Sequence, residues 1–124
     1  MSAKNNMRKA VYKLNADCGR MGTLEGLFVA EEKVIEWIIS SEINVYFGEV
    51  LGKHSEIYGA LSEKYFTKVS DKEEVIRVIE DFDLSNGFNP LGYTAINAEN
   101  IMEDYDDLTI QEIYDAVHKE VVGE

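Results

Sequence analysis

The sequence predicts an α+β fold: an antiparallel, meander-like sheet of about five strands, one helix after the second strand, and two helices in the C-terminal half. Three observations carry this. Apolar residues recur at period two through the first half, the period lengthens to that of a helix after residue 31 and again beyond residue 70, and turn residues separate the runs at short intervals. With 124 residues, 45% hydrophobic and 10% aromatic, the chain can fill one core and is short for two. Residues 1–124 are therefore expected to form a single domain, with residues 1–8 as a flexible N-terminal tail.

The first strand is read from Ala10, Tyr12, Leu14 and Ala16 alternating with Val11, Lys13, Asn15 and Asp17. The turn Asp17-Cys18-Gly19-Arg20-Met21-Gly22 follows, and then Leu24, Gly26 and Phe28 alternate with Glu25, Leu27 and Val29, which gives an antiparallel pair. From Glu31, Val34, Ile35, Trp37, Ile38 and Ile39 take helical spacing until Ser40-Ser41. Residues 43–51 and 54–61 read as two more strands joined at Gly52-Lys53, and residues 65–69 as a fifth.

Ser70-Asp71-Lys72-Glu73 has the spacing of a capping box, with Ser70 as N-cap. Val75, Ile76, Ile79 and Phe82 then form an apolar stripe, which makes Phe82 a core residue first. Residues 83–107 lose periodicity, hold the one proline, and read as a long loop in which Phe88 and Tyr93 sit among Asn86 and Asn89. That loop either lines a binding site or is pinned to the core by its aromatics. A second box, Thr109-Ile110-Gln111-Glu112, opens a C-terminal helix with Ile110, Ile113, Val117 and Val121 on one face.

The formal net charge of -12 is unevenly placed. Residues 1–62 carry seven Lys/Arg against eight Asp/Glu, a balance of -1, and residues 63–124 carry five against sixteen, a balance of -11. The acidic half repels an anionic polymer, so DNA is not an expected partner, while the first half can still build a local basic pocket for a small phosphate-bearing ligand. Apolar runs are too short to span a bilayer, no apolar segment follows the polar N-terminus, and a lone cysteine, Cys18, suits a reducing compartment. A cytoplasmic protein without a membrane partner is expected.

Enzyme signatures are sparse. His54 and His118 lie in different elements, no His/Cys/carboxylate spacing matches a metal site, and the acidic runs lack the register of a calcium loop. No metal or cofactor is expected. There is no phosphate-binding P-loop, dinucleotide fingerprint or nucleophile elbow. Cys18 beside Arg20 is either an activated thiol or a structural cysteine.

Non-covalent recognition remains. Gly19 and Gly22, flanked by Thr23, can take positive φ so that successive amides converge on a ligand oxygen while Arg20 supplies a planar fork of donors; the alternative is a plain hairpin turn. With Lys53 as a second cation, Phe88 or Phe82 as a stacking surface, and Asn89 and His54 as hydrogen-bonding groups, this inventory suits a nucleotide.

Three stretches carry a family resemblance: Tyr12-Lys13-Leu14-Asn15-Ala16-Asp17-Cys18-Gly19-Arg20-Met21-Gly22-Thr23-Leu24-Glu25-Gly26, Val45-Tyr46-Phe47-Gly48-Glu49-Val50-Leu51-Gly52-Lys53-His54-Ser55-Glu56, and Gly87-Phe88-Asn89-Pro90-Leu91. Together they resemble the phage Thoeris anti-defence sponge family of the first type. The resemblance implies a homo-oligomeric α+β protein, a dimer or hexamer, in the host cytoplasm during infection. It would sequester a cyclic ADP-ribose-type immune signal, and in some members cyclic oligonucleotides, without degrading it. Two readings from other classes stand beside it. One is an acidic interaction protein that inhibits a host enzyme by surface mimicry; the other is a small enzyme that cleaves a cyclic nucleotide with His54 as base.

Overall fold

The computed structural model describes residues 8–51 and 56–122. These residues build two antiparallel sheets and three α-helices, in the order β1 (Lys9–Asp17), β2 (Thr23–Glu31), α1 (Glu32–Ser41), β3 (Asn44–Gly48), β4 (Ile57–Ala60), β5 (Phe66–Ser70), α2 (Glu73–Asp81), β6 (Asn86–Gly87), β7 (Thr94–Ala95) and α3 (Ile110–Val122). The α+β class, the antiparallel pairing and the placing of the helices agree with the sequence reading. The strands do not form one meander, however. They divide into a four-stranded sheet of order β5-β1-β2-β6 and a three-stranded sheet of order β4-β3-β7.

β1 and β2 run in register from Lys9↔Glu31 to Asp17↔Thr23. Ala10, Tyr12, Leu14 and Ala16 therefore share a face with Leu24, Phe28 and Ala30, and that face is buried in one cluster with Val34, Ile35 and Ile38 of α1, Val45 and Phe47 of β3, Ile57 of β4, and Ile110 and Ile113 of α3. Such burial contributes about 1.5–3 kcal/mol for each large side chain. Tyr12 anchors the β5 side of the sheet, with its ring 6.3 Å from Phe28 and 6.5 Å from Phe66.

α2 lies against the opposite face of β1 and β2, where Lys9 pairs with Glu80 at 3.5 Å. Its packing is shallow: Val75, Ile76 and Ile79 are half-buried and none of its residues is fully buried. Phe82, read as a core residue from helical spacing, is 70% exposed. It caps the C-terminus of α2 beyond the last turn that faces the sheet, and Val69, Val78 and Leu84 are exposed with it.

The two capping boxes part company. At Thr109 the box closes in both directions, Glu112 N–H donating to Thr109 Oγ1 at 3.2 Å and Thr109 N–H to Glu112 Oε1 at 2.8 Å. Ser70 instead ends β5, and its Oγ accepts from Lys72 N–H at 3.1 Å, so that Lys72 takes the cap position without a side-chain bond. The chain spends Ser70 on leaving the sheet before the helix can use it.

The long loop is stitched into both sheets. Asn86 and Gly87 pair with Leu27 and Gly26 at the edge of the first sheet, and Thr94 and Ala95 pair with Tyr46 and Val45 in the second. Between these strands a single 3-10 turn, Pro90–Gly92, is capped by Asn89. No helix among the described residues is long and apolar enough to cross a membrane.

Candidate functional site

The turn that follows β1 is fixed from within. Gly19 and Gly22 take φ of +67° and +117°, as glycine allows, and the loop closes by Cys18 N–H to Gly22 O at 2.7 Å and Gly22 N–H to Gly19 O at 3.1 Å. Gly19 N–H donates to the Asp17 carboxylate at 2.8 Å. Three of the amides that would converge on an anion are thus bonded inside the turn, which leaves the exposed side chain of Arg20, without an ion pair among the described residues, as what the turn offers a phosphate. Thr23, exposed, pairs with Asp17 as the first rung of β2.

Behind this turn lies a cavity of about 460 Å³ where the two sheets meet. Its first wall is the end of β1 with Ala16, Asp17 and Cys18, backed by Leu24 of β2; its opposite wall is the whole of β4. Phe47 closes the floor, and Leu61 and Tyr65 the side near β5. Gly59 pairs with the buried Val45, so it occupies a core-facing position with no side chain to fill it, and the direction in which a Cβ would point is open space. The absent side chain helps to make the void.

The polar groups around it are few. Glu56 Oε2 accepts the Tyr46 hydroxyl at 2.8 Å, and this bond, with lesser contributions from burial and from the charges of Glu56 and Glu49, raises the Tyr46 phenol above its usual value. Tyr58 is 57% exposed beside the opening, and Lys64 Nζ stands 5.6 Å from the Tyr65 ring centroid.

Cys18 is half-buried, and its thiol donates to Ala16 O at 3.6 Å. Burial first, and the Asp17 carboxylate second, push its pKa up, so the thiol stays protonated at neutral pH. Of the two readings of Cys18, the structural one fits this environment. Alkylation by iodoacetamide at pH 7.5 should therefore proceed several-fold more slowly than for a free thiol and accelerate as pH rises; a rate above that of free cysteine would contradict it.

The remaining predicted residues disperse. Phe88 belongs to a tilted aromatic cluster, 6.3 Å from Phe47 and 6.2 Å from Tyr93, while Phe47 and Tyr93 lie 4.8 Å apart. Asn89 accepts from Leu91 N–H at 3.0 Å. Both hold the loop to the core, and neither they nor Phe82 line the cavity. Lys53 and His54 lie outside the described residues, although Leu51, which leads into that segment, stands 3.6 Å from where a Gly22 Cβ would be. His118 sits with Trp37 and Tyr114 on α1 and α3, its Nδ1 2.9 Å from Tyr114 O. Among the described residues no group of three His, Cys, Asp or Glu is placed to hold a metal ion.

Sequence reasoning missed Glu56, Tyr58 and Tyr65. Gly59 was the available signal, since a glycine within a strand run marks a bulge, a close approach or a vacancy. Comparison of the chain with family models, with curated proteins and with solved structures finds no match.

Proposed function

We propose that the protein is a binding protein that sequesters a small nucleotide of the cyclic ADP-ribose type without degrading it, and so withholds the signal from a host immune effector. The observation that carries this reading is the cavity, which falls within the ~300–1,000 Å³ typical of small-molecule sites and is walled on one side by Asp17 and Cys18, the residues that lead into the Arg20 turn, while Arg20 itself does not line it. Its apolar and aromatic lining suits a base. Its carboxylates, Asp17 and Glu56, suit ribose hydroxyls and would repel phosphate, so the phosphates belong at the rim with Arg20. Capture without turnover accords with a thiol held protonated. The exposed Val69, Val78, Phe82 and Leu84 favour assembly into a homo-oligomer, a dimer or hexamer, working in the cytoplasm of an infected host.

The test is stoichiometric capture. Equimolar protein should deplete a cyclic ADP-ribose isomer from a filtrate and return it intact after heating. An altered nucleotide would make the protein an enzyme, and no depletion would remove the reading. Arg20→Ala should weaken capture about tenfold to a hundredfold, the equivalent of one charge-assisted hydrogen bond, with little change in melting temperature because the side chain is exposed.

A further inference from the structure

A cavity that touches one face of a strand meets every second residue, because successive side chains point to opposite sides. This cavity meets four in succession, Ile57, Tyr58, Gly59 and Ala60. It therefore runs along the edge of β4, the strand that ends the order β4-β3-β7.

The pairing tells which main-chain groups face it. Ile96 N–H donates to Asn44 O at 3.0 Å, so Asn44 turns its peptide groups toward β7. By the alternation of antiparallel ladders Val45 turns its own toward β4, and its partner there is Gly59. Tyr58 and Ala60, one step either side, then direct their N–H and C=O groups away from β3, into the cavity, and no backbone bond to either is found outside the sheet among the described residues.

We propose that this open edge of β4 reads the hydrogen-bonding edge of a nucleobase, with the main chain of Ala60 and Tyr58 supplying a donor to a ring nitrogen and an acceptor to an exocyclic amine. The pattern it fits is that of a 6-aminopurine, a planar ring with a donor beside an acceptor. Tyr65 and Phe47 in the lining offer apolar surface to such a ring. With only two outward-facing residues, the edge is short for an added peptide strand. This inference rests on the sequestration reading and adds to it a specificity-determining element made of backbone.

The experiment compares ADP-ribose with its hypoxanthine counterpart, inosine diphosphate ribose, by isothermal titration against wild-type protein and Ala60→Pro. Hypoxanthine carries N1–H and O6 where adenine has an acceptor and a donor, so it meets both peptide groups with the wrong partner, and the wild type should prefer ADP-ribose by about tenfold or more. Proline removes the outward N–H of Ala60 and leaves the Val45–Gly59 bonds in place, a substitution that edge strands tolerate. The folded variant should bind both nucleotides at the weaker level. Equal binding by the wild type, or full preference in a folded Ala60→Pro, would overturn the inference and leave sequestration standing. Failure of the wild type to bind either nucleotide would also overturn the inference, while depletion of a cyclic ADP-ribose isomer from the filtrate decides sequestration separately, and the wild-type comparison decides even if the variant does not fold.

Discussion

Gly26→Ala should cost the protein at least about 3 kcal/mol and lower its melting temperature by more than about 10 °C. Gly26 faces Gly87 across the β2–β6 pairing. A Cβ at Gly26 would stand 2.7 Å from Phe88 N and 2.9 Å from Phe88 C, and a Cβ at Gly87 would stand 2.7 Å from Gly26 Cα. Backbone, not a movable side chain, occupies the space, so the strain is relieved only by moving β6 off the sheet. That would also break the Phe88 N–H bond to Glu25 O, now 2.9 Å, and loosen the aromatic cluster below. Gly92→Ala is the control, since a Cβ there meets nothing within 4 Å; it should stay within about 0.5 kcal/mol. Melting followed by circular dichroism checks the pair, and equal effects of the two would mean that β6 does not lie against Gly26.

Ala16→Leu should abolish the proposed nucleotide capture, by about a hundredfold in affinity, while leaving the protein as stable as before or slightly more so. Ala16 is 4% exposed and belongs both to the core cluster and to the cavity wall. The added carbons enter the void between β1 and β4, where they replace solvent with apolar contact and occupy the space assigned to the ligand. Most core enlargements overpack and destabilise. This one has room, so stability and binding should move independently, and a variant that melts normally and still captures nucleotide would exclude the cavity as the site.

The extent to which the chain announced this structure differs by element. β1 and β2 were legible because one face is buried throughout while the other, apart from Val11, is exposed or half-buried, which writes itself as alternation. The Thr109 box was legible because all its partners lie within four residues. The Ser70 box has the same spelling, but the hydroxyl was already taken by the exit from β5, a demand that the local pattern does not record. β6 and β7 are two residues each, too short for any periodicity, and each adds an edge to its sheet. That β3 and β4 pair with neither β1 nor β2, which makes two sheets instead of one, is a long-range choice that no local pattern records. At the site, Gly19-Arg20-Met21-Gly22 declared a turn, yet which amides remain available depends on where the Asp17 side chain swings. The β4 wall was hidden further still, since an open edge is defined by the strand that fails to arrive there.

The stitching of residues 86–95 into both sheets also sets a hierarchy of formation. The β1–β2 hairpin closes with Thr23 six positions beyond Asp17 (23 - 17 = 6), whereas Gly87 reaches Gly26 across 61 positions (87 - 26 = 61) and Ala95 reaches Val45 across 50 (95 - 45 = 50). More than three doublings of loop length separate the first closure from the second, about 2 kcal/mol of extra chain entropy, and only a two-residue strand rewards each long return. The hairpin can close before either long return is made. The union of the two sheets depends on a late-closing seam, so the shape of the cavity between them is set by the last part of the chain to settle.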